Sequence, residues 1–358
     1  MAKGNSSGFH LMESLVAAKF ITEKAQDVHI NQEGIKELAS HVMTFLMDNI
    51  EDFYILTYTF LRPKAYPVEE DSKKADWLFV LHTLNFSLWN PKGTKQWTVN
   101  GSEGYCALCF AIKRAIDEKT PIWDPKYYTR MTQSEFEHIF RSDDGETSIP
   151  LIHERLRILR EVGKVLLKKY RGTFVECIKS SGSDADKLVK LLFNEFGSYR
   201  DEAIYGGFKV RFHSKARSLV SDIWIECSKE QPKFKLDTKE MISTMFIDYR
   251  ILLVLLHFKV LLYSDVLVNR FENSNEPLEH GCREEIEIRG CSLFAANKVC
   301  KEVQKIIMHY IEEYPILNTK AFNIPILVDN YLFKFISKEI EEEYMKQEPF
   351  HYVRTVHY

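Results

Sequence analysis

The chain has 358 residues, 45% hydrophobic and 28% charged, which is an ordinary globular composition with length for one large domain or two modest ones. A formal net charge of -3 excludes the dense cationic surface that broad binding to duplex nucleic acid requires, but leaves room for the few basic groups that hold one phosphate. Seven scattered cysteines, an odd number in a long chain, fit a reducing compartment rather than a disulfide framework, so the expected location is the cytoplasm, or also the nucleus.

Residues 1–8 are polar, rich in Gly and Ser, and lack the apolar core of a signal peptide; 1–18 is assigned to a flexible N-terminus. Ile35, Leu38, Val42, Phe45 and Leu46 recur at helical spacing within 35–53. The run 77–89, WLFVLHTLNFSLW, is so continuously apolar that its period does not decide between helix and strand. Residues 94–100, with Trp97 and Val99, are a candidate small hairpin. A helix is expected over 105–116, before Pro121. It contains Cys106 and Cys109 as C-x-x-C, but no second pair stands at the spacing of a closed zinc site, and no metal is expected.

Thr132 and Glu135 have capping-box spacing ahead of a short helix over 134–141. Leu156, Leu159, Val162 and Leu166 set the period of a helix over 151–170, which Arg171-Gly172 ends. An amphipathic helix follows over 184–196, and 205–212, with Gly206-Gly207, is the best remaining hairpin. Helices are expected over 216–227, 238–263 with a break near Asp248, 285–314 and 325–343. The most apolar stretch, 251–263, carries His257 and Lys259 and falls short of the roughly 20 residues of a membrane span, so it is expected to be a core helix. Residues 268–283 are expected to form a mobile polar loop, and Pro315 and Pro325 to bracket an exposed connector. The fold class that results is mainly α, compact, with one or two minor β-hairpins.

Asp248 lies in TMFIDYR (244–250), immediately before an apolar run. A carboxylate at such an edge is partly desolvated and chemically useful, although a structural pair with Arg250 is the plainer reading. Asp329 stands in PILVDNYLF among apolar and aromatic neighbours. Two acids in such surroundings form a credible ribose-handling pair, one offsetting positive charge at the sugar C1′ and the other binding hydroxyls or orienting water. His82, Asn85, Phe86 and Trp89 lie together in LHTLNFSLW, where the rings either stack on a flat heterocycle or fill the core. Arg200, Lys215, Arg217, Arg250 and Arg289 are candidate phosphate contacts, and Glu287 with Arg289 is alternatively a buried ion pair that fixes the fold. The phosphate loop, dinucleotide fingerprint, zincin and nucleophile-elbow motifs are all absent from the sequence.

Seven blocks taken together resemble one family: LNFSLW (84–89), SDIW (221–224), TMFIDYR (244–250), YSD (263–265), EIEIRGCSL (285–293), LVDNYL (327–332) and PFHYVRTVHY (349–358). Their order and spacing are similar to those of the queuosine-salvage proteins, which are queuosine 5′-monophosphate N-glycosylases. The resemblance implies a single glycosylase-like domain over 19–358, similar in fold to helix-hairpin-helix DNA glycosylases. It implies hydrolysis of the N-glycosidic bond of the free nucleotide, releasing queuine, a 7-deazaguanine base, for renewed tRNA modification. No metal or organic cofactor is implied, nor any direct nucleic-acid, membrane or obligate protein partner.

By the same resemblance Asp248 falls at the catalytic aspartate, Phe246 at a base-contacting phenylalanine and Asp329 at a second, ligand-binding aspartate. Lys215, Tyr249, Arg250, Trp89, His82 and Asn85 complete the expected substrate-binding set. Departures stand beside these matches. The family's Phe-aromatic-Lys-Arg-Ala-Gln reads Phe212-His213-Ser214-Lys215-Ala216-Arg217, so the lysine moves from position 214 to 215. Pro63 stands where the family has a histidine, and Lys334 where it has an acid. The alternatives are a glycosylase that flips a base out of DNA or RNA and a catalytically inactive helical protein that binds a nucleotide.

Overall fold

A computed structural model describes residues 11–58, 66, 73–91, 93–228, 249–274, 276–317, 323–339 and 351–358. Fifteen α-helices and seven short strands account for most of these residues, so the chain is mainly α. Two hydrophobic cores organise them. The first gathers α4 (Lys74–Leu84), α5 (Gly104–Asp117), α8 (Ile152–Lys169), α9 (Phe174–Ser180), α10 (Ala185–Glu195) and the first half of α11 (Ser214–Ser228). The second combines both ends of the chain: α2 (Gln32–Asp48) and α3 (Phe53–Tyr58) with α12 (Tyr249–His257), α14 (Arg283–Tyr310) and α15 (Ile324–Glu339).

Helix α4 explains the ambiguity of its sequence. It packs against α5, α8, α9 and α11, so Trp77 through Leu84 are all buried and no polar face exists to reveal a period. Where one face meets water the period is plain: α8 buries Leu156, Leu159, Val162 and Leu166 and ends beyond Lys169, with Gly172 in a left-handed turn. The capping box at Thr132 and Glu135 forms as expected ahead of α7 (Gln133–Ile139).

The strands are small additions. A hairpin joins β3 (Thr98–Val99) to β4 (Ser102–Glu103) across Asn100-Gly101. A second joins β5 (Glu202–Tyr205) to β6 (Phe208–Arg211) across Gly206-Gly207. All four turn residues have positive φ, the geometry that matches strand twist in two-residue turns. β1 (Leu11–Glu13) pairs in parallel with β6. Residues 11–18 therefore form β1 and the start of α1 (Ser14–Lys24) and are not a flexible terminus, whereas 1–10 lie outside the described residues.

Two further expectations are corrected. Helix α12 stops at His257, and Leu261–Tyr263 form β7, antiparallel to β2 (Val28–Ile30). Lys259 adopts a left-handed conformation, and the amides of Lys259 and Val260 close onto the carbonyls of Leu256 and Leu255 at 2.8 Å each, which ends the helix inside the apolar run. The polar segment 268–283 is not simply a loop: α13 (Asp265–Asn273) covers its first part, capped by the Ser264 hydroxyl, which accepts from the Leu267 amide at 3.2 Å. Beyond Pro315, Leu317 is buried, so the connector between the two prolines is not exposed throughout.

Helix α14 crosses α1 closely. A Cβ on Gly290 would lie 2.6 Å from Ile21 Cγ2, so only glycine permits this approach.

Candidate functional site

Helix α4 ends at Leu84 and the chain continues through Asn85, Phe86, Ser87, Leu88 and Trp89 without regular structure. Arg155, wholly buried on α8, fixes this turn: its guanidinium donates to the carbonyls of Leu84, Phe86 and Pro150 and lies 4.2 Å from the Phe86 ring centre. Phe86 is 1% exposed, and the Lys215 amine stands 4.8 Å from the same ring, so it is a core ring held between cations. His82 is also interior. Its Nε2 lies 2.8 Å from Asp222 Oδ2 on α11, which also accepts from the Tyr66 hydroxyl at 3.1 Å. Asn85 is half-buried at the end of α4, and its amide donates to the His82 carbonyl at 3.3 Å.

Lys215 enters from the first turn of α11, after His213 in a left-handed conformation. Its amine donates to the Val356 carbonyl at 2.9 Å and faces the rings of Phe86 and Tyr199. Burial, reinforced by the Arg155 charge, pushes the ammonium well below the usual lysine range, while Asp201 opposes the shift.

The carbonyl that Lys215 meets belongs to a C-terminal strap, 351–358. Its exposure alternates as in a strand: His351, Val353 and Thr355 are buried, while Tyr352, Arg354 and Val356 are half-buried. The Ser87 hydroxyl donates toward the carbonyls of Val353 and Thr355 at 3.2 and 2.8 Å, and the Ser87 amide donates to the Tyr358 carbonyl at 3.1 Å. Val353 packs in the second core and Val356 against the first, so the strap ties the cores together. On its outer row Arg354 donates to the Trp89 carbonyl at 2.8 Å and stacks 3.6 Å above the indole, beside the Tyr352 ring.

Behind the strap lies a buried ion cluster. Arg289 on α14 pairs with Asp201 and, at 3.3 Å, with Glu285; its guanidinium stacks on Phe212 and Tyr358. The Tyr358 hydroxyl donates to Glu285 at 2.6 Å. Burial opposes ionisation of Glu285, but Arg289, His280 and Tyr358 outweigh it and hold the carboxyl at about 2. The expected Glu287–Arg289 pair does not form, because residues two apart on a helix point away from each other. Glu287 instead accepts from the amides of Gln26 and Asp27 at 2.9 Å and from the Tyr205 hydroxyl.

Asp248 and Phe246 lie outside the described residues, and Tyr249 and Arg250 are described in backbone only, as the start of α12. Asp329 is half-buried on α15, next to Asn330, whose side chain donates to the Leu56 carbonyl at 2.9 Å. Helices α12 and α15 pack together, Ile251, Leu252 and Leu255 sharing a core with Leu327, Val328 and Tyr331. The helix whose described part starts at Tyr249, next in sequence to Asp248, and the helix that carries Asp329 are therefore neighbours. α11 reaches the same region at its other end, where Ile225 meets Ile326.

Of the remaining candidate cations, Arg200 donates to the Asn194 carbonyl at 3.0 Å, and Arg217 is half-buried with its Nε enclosed. Asp222, Arg155 and the strap's role were not foreseen from the sequence. No apolar alternation in HYVRTVHY announces the strap, since its buried row is His351, Val353 and Thr355 and its half-buried row includes Tyr352 and Val356. Among the described residues no cluster of His, Cys, Asp and Glu can hold a metal, and no helix is long and apolar enough to cross a membrane.

These features define the class: a mainly helical protein built around a polar site where two cores and a C-terminal strap meet. The family description queuosine salvage protein matches residues 65–358. A Bos taurus relative is 36% identical over 351 residues, covering 96% of this chain and 97% of its own. A Mus musculus relative is 32% identical over the same coverage, and one from Sphaerobacter thermophilus is 34% identical over 294 residues, covering 80% of this chain and 84% of its own. Each of these relatives is named queuosine 5′-phosphate N-glycosylase/hydrolase. The chain belongs to the queuosine salvage protein family.

Proposed function

We propose that this chain hydrolyses the N-glycosidic bond of queuosine 5′-phosphate and releases queuine for tRNA queuosine salvage. The observation that carries the reading is the match over 96% of the chain to relatives bearing that name. The substrate is a small nucleotide, the reaction is a glycosidic hydrolysis, and no cofactor enters it.

Positive charge develops at C1′ as the base departs, and a fixed carboxylate lowers that barrier. Asp248 takes this role and polarises the attacking water. Water adds to C1′, the bond to the base breaks, and the proton leaves with the base. Asp329, on the helix packed against α12, hydrogen-bonds a polar edge of the ligand. Phe246, with Trp89, stacks on the deazapurine; such stacking contributes about 1–3 kcal/mol. His82 and Asn85 complete the base-side set. The 5′-phosphate takes a cationic contact, for which Lys215, Arg217 and Arg250, with Tyr249 beside it, are the candidates. The chain from β1 onward acts as one domain, rather than from residue 19, in the cytoplasm or also the nucleus.

Incubating the purified chain with queuosine 5′-phosphate and separating the products by chromatography tests the reading. Free queuine and ribose 5-phosphate are expected in equal amounts. Binding without product would support an inactive nucleotide binder, and release only from oligonucleotides would support a nucleic-acid glycosylase.

A further inference from the structure

We propose that Arg354, on the outer row of the C-terminal strap, is a phosphate-binding residue for the substrate nucleotide. The inference rests on the nucleotide reading above and adds a residue to it.

The described cations differ in what their charge faces. Lys215 turns its amine inward onto the Val356 carbonyl, between Phe86 and Tyr199. Arg155 is consumed by the carbonyls of Leu84, Phe86 and Pro150. Arg289 is neutralised by Asp201 and Glu285. Arg354 is different. It is half-buried, so its charge is partly desolvated, and among the described residues its partners are the Trp89 carbonyl at 2.8 Å and the indole face at 3.6 Å, with no carboxylate in ion-pair range. A single N–H is used by that carbonyl, which leaves most of the guanidinium fork available.

Some arginines elsewhere find acids. Arg141 pairs with Glu118 at 2.5 Å, Arg211 with Glu202 at 3.2 Å and Arg270 with Glu284 at 2.9 Å. Arg114, Arg160 and Arg200 instead donate to backbone carbonyls and, among the described residues, stack on no ring as Arg354 does. An arginine held rigid by stacking and a backbone bond, and without a counter-charge among the described residues, is pre-organised for an external anion. A phosphate monoester fits, because the planar fork can donate to two of its oxygens at once. The position also suits a nucleotide. Arg354 rests on Trp89, a candidate base-stacking ring, and lies two residues before the carbonyl that holds Lys215.

The test compares queuosine 5′-phosphate with queuosine nucleoside, by calorimetric binding and by turnover, in wild type, Arg354→Ala and Arg354→Lys. Arg354→Ala is expected to weaken the nucleotide at least tenfold, with a loss for the nucleoside at least fivefold smaller. Arg354→Lys is expected to recover part of the nucleotide binding, because it keeps the charge and loses the fork. Equal weakening of both ligands would reduce Arg354 to a support for Trp89 and overturn the proposal, as would no change for either. Turnover by wild type tests the enzymatic reading separately. A wild type that binds the nucleotide no better than the nucleoside refutes the phosphate site, whether or not either ligand is cleaved.

Discussion

Acidification should loosen the strap through His351. This side chain is 2% exposed, and burial holds its imidazole at about 4, against an ordinary 6.5, with Glu285 opposing and Arg289 reinforcing the shift. A base whose folded pKa is depressed favours folding above its unfolded pKa, and that advantage is lost as pH falls from 6.5 towards 4. At about 1.4 kcal/mol per unit, the shift removes roughly 2 kcal/mol of stability by pH 5 and roughly 3 kcal/mol by pH 4. His357, also held at about 4 by burial, adds a loss of the same sign. Glu285 contributes little down to pH 5, since its depressed pKa removes stability chiefly below its ordinary 4.5, and it adds to the loss at pH 4. Asp76 runs the other way, because burial raises its carboxyl to about 6 and acid relieves that cost. The comparison must therefore be made between variants. Urea unfolding of wild type and His351→Leu at pH 7.5 and 5.0 should show wild type losing about 2 kcal/mol more than the variant. Equal losses in the two proteins would refute the buried, neutral imidazole.

Other expectations follow from the packing around α14. Arg289→Met leaves Asp201 and Glu285 buried without their cation and should cost about 3–5 kcal/mol in chemical denaturation; a cost under about 1 kcal/mol would mean that water reaches the cluster. Gly290→Ala gains about 1 kcal/mol of helix propensity but drives a methyl to 2.6 Å from Ile21, an overpacking cost of about 1–3 kcal/mol. Net destabilisation is expected, and combining it with Ile21→Ala should show favourable coupling of about 1 kcal/mol in a double-mutant cycle. Additive effects would mean that α1 simply moves away.

The sequence revealed the helices that keep one face in water. α8 and α10 show their period because their outer faces are polar, whereas α4 hides its period by being buried all round. β7 was missed because Leu261–Tyr263 prolong an apolar run; the break comes from Lys259 in a left-handed turn, with no glycine or proline to announce it. α13 did carry a signal, Ser264 at its N-cap, inside a segment whose polarity suggested a loop. The family blocks located the candidate acids in the chain, and the fold adds that α12 and α15 are packed neighbours. What no local pattern could give is the strap: its partners Ser87, Trp89 and Lys215 lie 141 to 268 residues away in sequence, and such pairings are decided by tertiary packing alone.

The proposed role of the carboxylate at position 248 is to drive cleavage of a nucleotide glycosidic bond. Its most direct test is the rate of queuine release from queuosine 5′-phosphate by Asp248→Asn, with the variant's unfolding midpoint matched to wild type. The rate should fall by on the order of 10²–10³ or more, the scale expected when an electrostatic stabiliser of the transition state is removed. A folded variant that releases queuine at nearly the wild-type rate would remove Asp248 from the chemistry.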